Sequence, residues 1–113
     1  KQLINDLKKK QFIDHLRFAK AFTHDRFTFY NWGKLKIKYY LKQKGIEEAF
    51  ISEALLTIDI KLYKNLVKQE TEKKLLAMGS PTDYNSKQKL LKYLSQKGFE
   101  TDIIFDIVED LYS

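Results

Sequence analysis

Cysteine is absent from the 113 residues, which excludes a disulfide framework and any thiolate metal site. Proline occurs once, at Pro81, and glycine four times. An all-β chain needs far more turn formers than that, so helix is the default. No apolar run approaches the roughly 20 residues that span a bilayer. The first residue is Lys rather than Met, and no cationic-then-apolar leader follows. The expectation is a soluble, cytoplasmic protein shown without its true N-terminus. What is present is an apolar fraction of 43%, enough for a core and too high for a disordered tail. The length fits one domain or a short row of small repeats.

Charge is unevenly spread. Residues 1–44 carry 12 basic and 3 acidic groups, residues 45–80 carry 5 and 6, and residues 81–113 carry 4 and 6. One end is therefore strongly basic, as suits nucleic acid, an anionic membrane or an acidic protein surface. Nineteen of the 21 basic residues are lysine, which equally fits a plain solubilising face.

The punctuation repeats. Lys44-Gly45 and Lys97-Gly98 each follow a lysine-rich helical stretch, and a glycine just past a helix end supplies the left-handed residue that closes it. At that offset of 53, Ile37, Tyr40, Leu41 and Ile46 fall on Leu90, Tyr93, Leu94 and Phe99. Phe50, Ile51, Ala54, Leu55 and Ile58 then fall on Ile103, Ile104, Ile107, Val108 and Leu111. A weaker offset of 48 places Leu3, Leu7, Phe12, Phe18 and Ala19 on Ile51, Leu55, Ile60, Leu66 and Val67. The reading is an all-α chain of tandem three-helix, helix-turn-helix-like repeats, elongated or curved. Helices are expected at about 1–10, 13–29, 31–44, 47–57, 59–78, 84–97 and 100–112, seven in all. They divide into a partial first repeat (1–30), a complete middle repeat (31–80) and two helices of a third (81–113). Asp59 is the expected N-cap of its helix. Glu70 and Lys74 are expected on that helix's polar side as an i,i+4 pair.

No catalytic constellation emerges. His15 and His24 each neighbour an aspartate, but adjacent helical side chains diverge by about 100° and nine residues put the two histidines on opposite faces. There is no glycine-rich phosphate loop and no Gly-x-Ser-x-Gly. No metal or cofactor is expected, and the chain is not expected to be an enzyme. His15 lies on the apolar stripe of Phe18, Ala19 and Phe22 and reads as an edge-of-core residue. Arg26 lies near the same stripe and reads as paired to a carboxylate of a neighbouring helix, fixing how modules meet. Arg17, on the opposite side, is a contact candidate.

The segment 26–36 interleaves aromatics with cations; the preferred account is that these rings are core, as aromatics of small helical domains usually are, and the other is that bases stack on them while lysines hold phosphates. In the helix that follows, Gly33, Ile37, Tyr40 and Leu41 form one stripe, the repeat's core. Trp32, Leu35, Tyr39 and the stem of Lys42 form a second. The later repeat has Asn85, Gln88, Lys92 and Ser95 there. The second stripe is either sandwiched between modules, the preferred account, or a partner surface flanked by Lys34, Lys36, Lys38 and Lys42.

Three segments carry a resemblance. They are Gly33-x-x-x-Ile37-x-x-x-Leu41-x-x-Lys44-Gly45-Ile46, the stretch Phe12-Ile13-Asp14-x-x-Arg17-Phe18-Ala19-x-x-Phe22 with Arg26 a turn on, and Lys89-Leu90 through Leu94 to Lys97-Gly98-Phe99. In order and spacing they resemble the RecX family of bacterial RecA regulators, over essentially the whole chain. Two departures stand out: the family's opening helix is absent, and His15 stands where a second acid is frequent. The resemblance implies a non-catalytic monomer that binds the RecA filament on single-stranded DNA. It would block filament extension and lower strand exchange and ATP turnover, in recombination and the SOS response. Two other readings remain open: a sequence-independent DNA-binding helical module with no recombinase partner, and a protein-interaction scaffold.

Overall fold

The structure, a computed structural model, describes residues 2–112, with side chains from residue 9 onward. It contains six helices and no strand among the described residues: α1 (Gln2–Tyr30), α2 (Lys34–Gln43), α3 (Glu48–Leu55), α4 (Ile60–Ala77), α5 (Tyr84–Gln96) and α6 (Thr101–Tyr112). The seventh expected helix disappears because the pieces at 1–10 and 13–29 are one 29-residue helix. Nothing between Gln2 and Tyr30 is glycine or proline, and a helix once nucleated adds residues at little cost until something stops it. What stops it is Asn31, at φ 58°, a residue type that tolerates the left-handed region. The side chains of Leu3 and Leu7, used in the offset-48 match, lie outside the described residues.

The repeated Lys-Gly-apolar triplet has a direct structural cause. Gly45 and Gly98 adopt φ +80° and +95°. Beyond each, an amide reaches back five residues, Ile46 N–H to Leu41 O at 3.1 Å and Phe99 N–H to Leu94 O at 3.3 Å. This closure satisfies carbonyls left open at the helix end and tucks the next apolar residue inward. Ile46 and Phe99 are both buried. Asp59 caps α4 as expected, accepting from Lys61 N and Leu62 N at 2.9 and 3.0 Å.

α1 packs on α2 and α3, and α4 packs on α5 and α6. One hydrophobic core runs through both: the first group of helices contributes Ala19, Phe22, Ile37, Leu41 and Ile51, the turn after α2 adds Ile46, and the second group contributes Val67, Leu90, Leu94 and Val108, with Phe99 from the turn after α5. This grouping is one of helix packing; the divisions at 31 and 81 count repeats from their offset. The whole measures 65 × 22 × 20 Å with a radius of gyration of 17.7 Å, against about 13 Å for a compact domain of this length. The molecule is elongated.

Three core assignments change. Tyr40 is 41% exposed rather than part of the Gly33–Ile37–Leu41 stripe, and Phe18 is 42% exposed beside a buried Ala19. Each sits at the margin of its stripe, where the ring lies across neighbouring rings instead of entering the core. Glu70 is only 4% exposed and does not pair with Lys74; its partner is Lys97.

Candidate interaction face and the junction behind it

Four-residue spacing aligns side chains along one helix face. On α1 it aligns Phe18, Phe22, Arg26 and Tyr30; at the start of α2 and along it, Trp32, Lys36, Tyr40 and Lys44. The two rows meet. Phe18 lies 5.9 Å from Phe22, Phe22 6.1 Å from Trp32, Trp32 5.0 Å from Tyr40, and Tyr40 5.3 Å from Tyr39, centroid to centroid. Cations occupy the ring faces: Arg26 over Phe22, Tyr30 and Trp32 at 4.7, 4.8 and 5.3 Å, and Lys36 over Trp32 at 4.4 Å. Lys44 lies 5.9 Å from both Phe18 and Phe22. A cation on a ring face keeps its charge while shedding part of its hydration.

Arg26 therefore does not bridge to a neighbouring helix. Its guanidinium donates to Asp25, its own sequence neighbour, at 2.5 Å, and the rings take the place of a second carboxylate. The sandwich expected for Trp32, Leu35 and Tyr39 holds only in part. Trp32 is half-buried against Phe22, but Leu35 and Tyr39 are 49% and 58% exposed, because no helix of the second cluster covers that side of α2. Lys38 and Lys42 both reach Glu48 on α3, at 3.4 and 3.8 Å, exposed pairs worth little in water. Lys34 stands 5.0 Å over the Tyr63 ring. Arg17 is exposed but belongs to a separate groove with Ile13, Leu16 and Lys20. Asp14 is also exposed. His15 sits at the core margin, its ring 6.4 Å from Phe50. Among the described residues no three His, Asp or Glu side chains could hold a metal ion.

Behind this face lies the junction of the two clusters. Gly33 approaches the α5–α6 turn so closely that its N–H meets Lys97 O at 2.7 Å and Leu35 N–H meets Gly98 O at 2.9 Å. Tyr63, fully buried on α4, touches Phe27 and Phe99 with ring centroids 6.0 and 5.9 Å away. Its hydroxyl donates to Glu100 and accepts from Lys34 N–H. Burial first, then the Glu100 carboxylate, push its phenol far above the ordinary 10.0. Within the second cluster α4 is tied to α5: Lys97 lies 3.0 Å from Glu70, which also accepts from the Tyr93 hydroxyl at 3.3 Å. Burial, then the negative Glu70, raise the Tyr93 phenol as well. Sequence reasoning missed Tyr63, Lys97 and Glu100 as residues of the junction, and Glu70 as a buried partner of Lys97 within the second cluster. One signal was available: Tyr63, Leu66, Val67 and Glu70 follow i, i+3, i+4, i+7, so Glu70 shares the apolar stripe.

Residues 14–55 match the family model described as the second three-helix domain of RecX, and residues 65–108 that of the third. The chain belongs to the RecX family. The two matched segments fall within the two packed clusters, leaving out the N-terminal part of α1, the first residues of α4 and the end of α6. Among curated relatives, the regulatory protein RecX of Clostridium botulinum (strain Eklund 17B / Type B) is 34% identical, covering 95% of this chain and 50% of its own length. That of Clostridium perfringens (strain 13 / Type A) is 30% identical, with 98% and 52% covered. The chain thus spans about half the length of the curated relatives it matches. A crystal structure of RecX from Lactobacillus salivarius superposes with a TM-score of 0.81 at 26% identity, covering 97% of this chain and 71% of that one. The family is a regulatory one, and no helix among the described residues is long and apolar enough to cross a membrane.

Proposed function

We propose that this chain binds the RecA filament on single-stranded DNA and impedes its extension, lowering ATP turnover and strand exchange. Family membership supplies the partner. The observation that carries the reading is the locked junction: it makes one 65 Å body with a row of aromatics and cations along one half. Such a body can lie along a repeating polymer, as separately tumbling domains cannot without an ordering cost. Inhibition is stoichiometric. Bound copies occupy the groove surface while Lys36, Lys44 and Arg26 meet phosphates or acidic protein surface. The chain acts as a cytoplasmic monomer without a cofactor, in bacterial recombination and the SOS response. The cation–aromatic row also favours a second reading, a helical module that binds DNA without a recombinase.

The deciding experiment is RecA ATPase turnover on single-stranded DNA, titrated with this chain, beside a DNA titration lacking RecA. A saturable fall in turnover at concentrations below those that bind bare DNA is expected. Unchanged turnover at saturating protein refutes the filament reading, and equal affinity with and without RecA favours the DNA module.

A further inference from the structure

Helices α4 and α5 carry their own N-caps: Asp59 accepts from two amides of α4, and Asp83 accepts from Ser86 N–H at 3.2 Å. Helix α2 carries none. Its N-cap is Gly33, at φ −78° and ψ 166°, with no side-chain acceptor. Nor is there room for one. A Cβ at position 33 would stand 2.2 Å from the Gly98 carbonyl carbon, 2.3 Å from its oxygen and 2.4 Å from Phe99 N. The approach that docks the two clusters occupies the space that a Ser or Asp cap requires.

A helix leaves its first four N–H groups without internal partners. At α2 three of them are met from the second cluster: Gly33 by Lys97 O, Lys34 by the Tyr63 hydroxyl at 2.9 Å, and Leu35 by Gly98 O. The first internal bond is Ile37 N–H to Gly33 O. The Tyr63 oxygen is free to accept because its own proton is directed to Glu100. We propose that Tyr63 is a positioning residue for the α2 face: its hydroxyl, with the Lys97 and Gly98 carbonyls, supplies across the junction the cap that α2 cannot carry itself. The first turn of α2, bearing Lys34 and Lys36 beside Trp32, is then complete only while the clusters are docked. Binding at that face and the angle between the clusters become linked, each stabilising the other.

The identity of the partner rests on the function proposed above; the cap does not. Tyr63→Phe keeps the ring and removes the hydroxyl. In the full chain, amide hydrogen exchange at Lys34 is expected to speed up about tenfold relative to Leu90 and Leu94, as loss of an N-cap bond implies. Affinity for the RecA–single-stranded DNA filament is expected to fall about fivefold, while a core control of the second cluster, Val108→Ala, changes the Lys34-to-Leu90 exchange ratio less than about twofold. Unchanged Lys34 protection overturns the proposal, and so does uniform loosening of both clusters. Should Tyr63→Phe fail to fold, Glu100→Ala reads the same amide by freeing the hydroxyl to turn away; no rise in the ratio there is also fatal. If the wild-type chain does not bind the filament, the function falls while the exchange ratio still decides the cap.

Discussion

Gly33→Ala isolates the junction from every other feature of the fold. The backbone at Gly33 lies at φ −78°, which alanine adopts freely, so the cost is purely one of space. The added methyl carbon would meet three backbone atoms at 2.2–2.4 Å, where ordinary contact begins at 3.4 Å. Backbone cannot swing aside as a side chain can, so the α5–α6 turn must retreat by about 1 Å. Overpacking of this kind costs about 1–3 kcal/mol. The retreat also stretches the Gly33–Lys97 and Leu35–Gly98 bonds, worth about 1 kcal/mol each. The sum is about 3–5 kcal/mol, a large share of the stability of so small a chain. Gly45→Ala is the comparison. It meets nothing within 4 Å but lies at φ +80°, so it pays only the left-handed penalty of about 1–2 kcal/mol. Urea unfolding of both variants, with the slopes checked for equality, measures the difference. A Gly33→Ala no less stable than Gly45→Ala would refute the close approach at the junction.

Leu41 and Leu94 are repeat equivalents and both fully buried, so alanine at either should cost about 2–5 kcal/mol; a melting shift near zero at both would show the repeat register to be wrong. Lys36→Glu should weaken filament binding more than Lys38→Glu and flatten its salt dependence, because Lys36 lies on Trp32 while Lys38 already leans on Glu48; equal effects in a salt titration would count against the cation–aromatic row. The folded chain holds the Tyr63 proton more tightly than the unfolded chain, whose phenol titrates near 10.0. Stability from this group is therefore whole below that pH and lost as pH rises above it. Denaturant midpoints between pH 9 and 11 should fall, and fall less in Tyr63→Phe; an identical slope in both would disprove the assignment.

Much of this architecture is local, and local features are written in the order of residues. The glycines at 45 and 98 end helices wherever the chain goes, because only the left-handed residue and the five-residue closure are involved. Asp59 caps α4 for the same reason. The repeat at offset 53 is legible since equivalent cores need equivalent apolar spacing. One long α1 was also within reach: its two halves have no breaker between them, and the division at residues 11–12 rests on the offset-48 match to two separate helices, which reports shared apolar spacing and not where a helix ends.

The candidate face was half legible. Trp32, Lys36, Tyr39 and the neighbouring lysines are conspicuous in composition, but their grouping depends on α1 lying alongside α2. Only that crossing sets Phe22 against Trp32 and replaces the carboxylate expected for Arg26 with rings. Sequence by itself determined the helices and their stops, apart from the false break in α1, together with the repeat and the basic half. Tertiary structure decided which helices form a cluster, that Leu35 and Tyr39 stay uncovered, that Tyr63, held by Glu100, and the Lys97 carbonyl join the clusters, and that Glu70 is buried against Lys97. The physical reason is range. Caps and helical stripes act over four or five residues, whereas the Tyr63–Lys34 and Tyr63–Glu100 bonds span 29 and 37 positions, and no periodicity in a chain reports a meeting so distant.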